Sequence, residues 1–314
     1  MLSILGLTTP IYLAILVGYL AVRGGLFARE QMRVLTQFVL TLGLPCLLFG
    51  AIATRRVGEI LNPTYLAAYA LATLLTFGLG VLYGRARGAP WAMTAFDGLG
   101  FAGANSGYVG YPLALLVLPQ VAGLSLGLNM LVENILVLPL MFALAGSGSA
   151  AEHGWRAQVR QTARRLSRNP MIIAVVLAVA VSAIGLGVPE VLTRTLDLFG
   201  KATTAVALFA VGGLLTGVRL SGYAARILVV TTGKLVVHPV MVVGALAVAA
   251  AVGMPPLAPD LRVALILTCA LPVMSLLPMV AHEYGEEGPA AATLLASTAA
   301  SFVTLSWLIH VLVG

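Results

Sequence analysis

The chain has 314 residues, 60% of them hydrophobic and only 9% charged, with a formal net charge of +7 and a mean hydropathy of +1.02. A soluble domain carries roughly 25% charged residues, so this composition excludes a water-soluble globular protein and indicates a polytopic membrane protein embedded in a lipid bilayer. The basic residues fall between apolar stretches without aromatic interleaving, which excludes nucleic acid as a partner, and Cys46 and Cys269 lie inside apolar stretches with no disulfide or metal spacing.

At 1.5 Å per residue, about ten apolar segments are long enough to cross a hydrocarbon core of about 30 Å. In chain order they run from Ser3 to Val22, Leu35 to Ala53, Pro63 to Gly84, Ala92 to Leu118 and Val121 to Ala145, then Pro170 to Gly187, Leu196 to Gly217, Ile227 to Val252, Leu261 to Tyr284 and Pro289 to Val313. The first is read as a retained helix and not a cleaved signal, because it has no basic flank before it and Arg23 to Arg33 follow it. The predicted fold is therefore all-α.

Lys and Arg distribute unevenly between alternate sides of these segments. One side collects Arg23, Arg29, Arg33, Arg85, Arg87, Arg156, Arg160, Arg164, Arg165, Arg168, Arg219 and Arg226, and the other Arg55, Arg56, Arg194, Lys201 and Arg262. The richer side is expected to be cytoplasmic, with both termini outside the cytoplasmic membrane. Residues 147–169 form a basic linker on the inner side and divide the chain into 1–146 and 170–314. Five spans per half force the second half to enter the membrane inverted, the organisation of two inverted five-helix repeats. Leu48-Phe49 and Leu208-Phe209, followed by Arg55 and Arg219, echo this internally.

The fourth and ninth spans are interrupted near their centres by "NSGYVGYP", ending at Pro112, and by "PVMSLLP", from Pro272 to Pro278. Non-helical backbone at membrane depth is tolerated only where protein or a water-filled cavity satisfies it, so two matched breaks predict one shared, lined site. Pro112 and Pro278 are expected to open the second half-helix of each span. The two half-helix N-termini would then converge from opposite sides with partial positive charge, which suits an anion. Asn105, Ser106, Gly107, Tyr108, Met274 and Ser275 flank the breaks as candidate substrate-binding residues, although Asn105 and Ser275 also read as half-helix caps. Pro10, Pro139 and Pro239 read as kinks.

Three segments, "LPCLLF" at Leu44 to Phe49, "ANSGYVGYPLA" at Ala104 to Ala114 and "ALPVMSLLPMVAHEYG" at Ala270 to Gly285, resemble the auxin efflux carrier family, which includes bacterial malonate-type carriers and the plant auxin exporters. The layout agrees over nearly the whole chain. The resemblance implies ten transmembrane helices in two inverted repeats, with helices four and nine broken and crossed, and a transport domain moving against a scaffold. It also implies an organic-anion substrate and crossover roles for Asn105, Pro112, Pro272 and Pro278. The central linker is much shorter than that of the plant exporters.

Ionisable residues inside spans are expensive and therefore functional candidates: Asp97, Glu133, Lys234 and His238. Asp97 reads two ways, as a proton-coupling or supporting carboxylate near the crossover, or as a side chain reaching interfacial water. Glu133 reads as a coupling group or as a protonated acid packed between helices. Lys234 and His238 lie four apart on one helical face, and a Lys234 pair with Asp97 or Glu133 is predicted. His238 is expected to donate to a nearby backbone carbonyl.

Soluble-enzyme motifs fail on context. "GLGFAG" at Gly98 to Gly103 has no preceding strand and reads as a packing face along Gly100, Gly103 and Gly107, while "HEYGE" at His282 to Glu286 lacks the second histidine of a zinc protease. No catalytic residue, metal site or cofactor is expected. The GxxxG pairs Gly80/Gly84 and Gly213/Gly217 suggest tight packing and a candidate homodimer face. The function expected is secondary transport of small carboxylates such as malonate, malate or auxin-like acids by alternating access, with protons or sodium as candidate coupling ions. The alternative is a cation/proton antiporter or sodium-coupled symporter of related crossover architecture, for which only Asp97 and Glu133 supply carboxylates.

Overall fold

The computed structural model describes residues 2–55, 57–146, 160, 164, 167–218 and 222–313. Arg56, Arg219 and most of the 147–169 linker, on which the topology reading partly rests, lie outside the described residues. The described chain is helical, with a single isolated β-bridge. In order, the principal helices are α1 (Leu2–Arg23), α2 (Arg29–Ala53), α3 (Pro63–Ala86), α4 (Trp91–Ala102), α5 (Ser106–Val117), α6 (Ala122–Gly146), α7 (Pro170–Ile184), α8 (Glu190–Leu214), α9 (Ala224–Ala251), α10 (Pro259–Cys269), α11 (Leu277–His282) and α12 (Glu287–Val313). Each expected span corresponds to one helix, except the fourth and ninth, which are each two helices separated by non-helical chain. Among the described residues, six helices or helical runs are long and apolar enough to cross a membrane. Large side chains such as Leu75, Val240 and Val303 stand exposed along them, as expected where a helix face meets lipid and not water.

Four helices contain one π-helical turn, at Val39–Gly43, Ser106–Gly110, Glu133–Val137 and Gly233–Val237. Every one ends just before an X-Pro pair: Leu44-Pro45, Tyr111-Pro112, Leu138-Pro139 and His238-Pro239. Proline has no N–H to offer the preceding turn, and its ring clashes with the carbonyl four residues back. Widening that turn by one residue relieves the clash without ending the helix. Pro139 and Pro239 therefore sit within helices that continue past them.

The helices group into two compact units, and each unit draws residues from both sides of the linker. The first comprises 1–63, 106–130 and 167–217, and the second 64–105, 131–166 and 218–314. In the first, α1 and α8 pack through Gly18 and Gly212, where a Cβ would collide with the backbone of Phe209 and of Ile15. In the second, Gly80 and Gly84 bring α3 onto α4, since a Cβ on Gly80 would lie 2.7 Å from the Asp97 carbonyl and one on Gly84 2.9 Å from Thr94 Cα. Gly80/Gly84 thus serve internal packing. The proposed glycine stripe along one helix does not hold, because Gly103 leaves the helix with extended backbone (φ −68, ψ 120) and Gly107 belongs to the first unit, against Leu44.

Candidate functional site

The second unit contains the point where the two broken spans meet. Helix α4 ends at Ala102 and the chain leaves it extended at Gly103, whereas α10 ends at Cys269 and the chain turns through Ala270 and Leu271 before reaching Pro272. Ala104 and Val273 form an antiparallel bridge. Asn105 N donates to the Pro272 carbonyl at 3.0 Å, and Met274 N donates to the Gly103 carbonyl at 3.1 Å. Two bonds flanking one residue pair are a single rung of an antiparallel ladder. Unsatisfied backbone in hydrocarbon costs several kcal/mol per group, and here the two breaks satisfy one another. Val273 N instead takes the Ser297 hydroxyl of α12 at 3.2 Å.

The side chains at this rung are neutral and polar. Asn105 Nδ2 donates to Ser275 Oγ at 2.7 Å, and both residues are buried. An amide nitrogen carries two hydrogens and a hydroxyl can accept and donate at once, so one Asn105 N–H and the Ser275 O–H remain available to a further acceptor. The adjoining carbonyls of Gly103, Pro272 and Cys269 are already bonded.

The other substrate candidates distribute as follows. Pro272 and Met274 are part of the rung. Pro278 lies in the first turn of α11, as expected, although α11 is only 6 residues long. Pro112 does not open the second half of the fourth span: helix resumes at Ser106, in a π-turn, and Pro112 sits where that turn returns to α geometry. The reason is the widened turn that proline itself imposes. Ser106, Gly107, Tyr108 and Pro112 fall in the first unit, where the Tyr108 hydroxyl donates to the Thr36 carbonyl at 3.3 Å.

The intramembrane ionisable residues, all buried, separate into two clusters within the second unit. Asp97 accepts from Arg226 Nε at 2.6 Å and from Arg87 at 2.9 Å, and Arg226 also donates to Glu286 at 2.6 Å. Four elements converge on this network: the α3–α4 turn, α4, the first turn of α9 and the turn into α12. Gly285 (φ +74) supplies the left-handed step that sets Glu286 at that turn.

The predicted Lys234 partner is corrected. Asp97 is taken by arginines, and Lys234 Nζ bonds to the Cys269 carbonyl at 2.7 Å and to His238 Nδ1 at 2.9 Å. The last carbonyls of a helix have no partner within it and carry about half a negative charge. An ammonium at the end of α10 answers both needs. His238 does not donate to a backbone carbonyl; its Nε2 lies 3.2 Å from Thr73 Oγ1, and its ring stacks on Tyr69 with centroids 6.2 Å apart. The Tyr69 hydroxyl in turn donates to Glu133 Oε1 at 2.7 Å.

Tyr69, Thr73 and Ser297 were absent from the sequence reading, and Glu286 entered it only as the end of a failed zinc motif. Tyr65, Tyr69, Thr73 and Thr76 recur at helical spacing along α3 and are all buried, a polar stripe in an apolar helix that signals buried partners. Arg226 was assigned to topology alone, although an intramembrane Asp97 required a cation.

Residues 3–309 match the family model described as "Membrane transport protein". The chain belongs to this family, the auxin efflux carriers. The segments around the two breaks had pointed to it. Among its relatives is a Rhizobium meliloti (strain 1021) protein named "Putative malonate transporter", 31% identical over 320 residues, covering 99% of this chain and 97% of that one. Another is the Escherichia coli (strain K12) "Uncharacterized transporter YfdV", 26% identical over 242 residues, covering 73% of this chain and 74% of the relative. The chain is thus a multi-pass membrane protein of a transporter family.

Proposed function

We propose that this protein is a secondary carrier of small carboxylates across the cytoplasmic membrane, exposing the anion alternately to each side. On this reading the chain has ten transmembrane segments in two inverted five-helix repeats, with both termini outside and the basic 147–169 linker inside. The substrate is held at the crossing of the fourth and ninth spans, by Asn105 and Ser275 with the backbone around Pro272 and Met274.

The observation that carries this reading is the donor balance at the crossing. The carbonyls of Gly103, Pro272 and Cys269 already have hydrogen-bond donors, whereas Asn105 and Ser275 each keep a hydrogen to give. A carboxylate accepts hydrogen bonds only, so it complements two hydrogens offered side by side. The name of the Rhizobium meliloti relative supports a dicarboxylate of malonate size.

The test is uptake of labelled malonate, malate and indole-3-acetate into proteoliposomes, comparing the wild type with Asn105→Ala. Saturable uptake of at least one of these acids, falling by more than about tenfold in the variant, is expected, since losing a hydrogen bond to a charged ligand costs about 1.5–3 kcal/mol. Sodium or proton movement with no carboxylate carried would replace this reading with a cation antiporter.

A further inference from the structure

Lys234 and His238 are wholly buried, and their hydrogen bonds run to Cys269, Thr73 and each other, separate from the Asn105–Ser275 bond. Nζ and Nδ1 stand 2.9 Å apart, and two nitrogen bases can share a hydrogen only when one of them is unprotonated. The pair therefore holds one positive charge at most in this geometry, either as ammonium donating to imidazole or as imidazolium donating to amine. A static packing role would not call for such chemistry, because an apolar side chain of similar volume fills a buried position without a charge to desolvate.

The surroundings supply what a proton site requires. From α3, Tyr69 stacks on the imidazole, with Tyr65 beside it, and Thr73 meets Nε2. From α6, Glu133 offers a carboxyl through the Tyr69 hydroxyl. From α10 come the Cys269 thiol and its carbonyl. Helix α4 presents Phe101 to Gly233, while its Asp97 is engaged by Arg87 and by Arg226, the latter on α9 itself. The ionisable residues of α12, Glu287 and His310, lie at its two ends.

The pair is also wired to the crossing. Cys269, the acceptor of Lys234, ends α10 and stands three residues before Pro272, whose carbonyl receives Asn105 N. A change in charge at the pair alters its hold on the α10 terminus, and the same chain segment carries the carboxylate site. Opposite charges bound at linked sites strengthen one another reciprocally.

We propose that the Lys234–His238 pair is a proton-binding site coupled to the carboxylate site, so that one proton is taken up with the anion and both cross together. The proton enters onto the free nitrogen base of the pair when the anion binds, the Nζ–Nδ1 bond opens or rearranges, and the proton leaves from the same nitrogen on the far side; no other bond is made or broken. This proposal rests on the carrier reading above.

The test is calorimetric titration of the purified full chain with malonate, malate or indole-3-acetate in buffers of different ionisation enthalpy. The wild type is expected to take up as much as about one proton per anion bound, with log Kd rising by up to about one per pH unit as pH increases. His238→Gln keeps a polar side chain of similar reach and removes the titration, and Lys234→Met removes the ammonium. Where His238→Gln remains folded, proton uptake is expected to fall to zero and the affinity to become independent of pH, whereas Lys234→Met leaves the imidazole to take the proton and is expected to keep the uptake. Wild-type binding without proton uptake, or full uptake retained in His238→Gln, overturns the coupling proposal and leaves the carrier reading standing. Binding of none of the three acids overturns both.

Discussion

In the first unit the helices approach one another through small residues. Gly18 and Gly212 bring α1 onto α8, Gly43 lies against Thr203, and Gly123 and Gly127 receive Ala51 and Ile52 of α2. Its buried polar residues are hydroxyls and amides, such as Thr8, Thr36, Ser125, Asn129 and Thr203. The second unit uses glycines at Gly80 and Gly84, yet it also holds Asp97, Glu133, Lys234 and His238, every buried acidic or basic side chain among the described residues. Lipid gives helices no hydrophobic reason to associate, so close backbone packing and internal hydrogen bonds must do so. The first unit relies on the former. The second adds charges, which are costly in hydrocarbon and are kept where they act on a substrate or an ion. The contrast concentrates the buried acidic and basic side chains in the second unit.

The largest expected effect comes from breaking the charged network. Arg226→Ala leaves both Asp97 and Glu286 without the guanidinium that joins them, at distances of 2.6 Å in each case. Removing one partner of a buried ion pair costs about 3–5 kcal/mol, because the remaining charge stays desolvated. Thermal unfolding in detergent micelles should show a drop of many degrees. An unfolding temperature equal to that of the wild type would mean that the second unit does not depend on its charges, and the contrast would collapse.

A smaller loss is expected from the first unit. Gly212→Val places two methyl groups and a Cβ where the backbone of Ile15 already lies, and overpacking of this kind costs about 1–3 kcal/mol. The same unfolding assay reads it, and α1 should separate from α8 enough to raise proteolysis near Arg23. Wild-type stability in this variant would show that the glycine contact is incidental to how the unit holds together.

Much of this architecture was legible in the sequence. Apolar length alone placed the helices, because a span must be about 20 residues of mostly apolar chain whatever else it does. The two breaks were legible because Pro272 to Pro278 and the Asn105–Pro112 segment are rich in helix-breaking residues. Which residues pair across the break was not, since the Asn105–Ser275 and Asn105–Pro272 bonds join residues about 170 positions apart in the chain, and local propensity carries no such information. Pro112 misled for a physical reason. Proline was read as a helix start, whereas a π-turn lets it sit inside a resumed helix. Lys234 misled because the search was for a carboxylate, while the terminal carbonyl of a broken helix is an equally good acceptor for an ammonium.

The smallest expected effect sharpens the comparison most economically. Arg194 and Glu190 on α8 form an ion pair at 2.5 Å, as short as the Arg226–Asp97 contact at 2.6 Å, but both side chains are 76% exposed. Charges that retain their solvent contacts gain little on pairing and lose side-chain freedom, so Arg194→Ala should change stability by no more than about 0.5 kcal/mol. Unfolding of this variant beside Arg226→Ala compares ion pairs of nearly equal distance that differ in burial, Arg226 also joining a second carboxylate. A loss of similar size in the two would assign the energy to the pairing itself. The expected difference of several kcal/mol assigns it to the desolvation of Asp97 and Glu286, and so to the buried interior of the second unit.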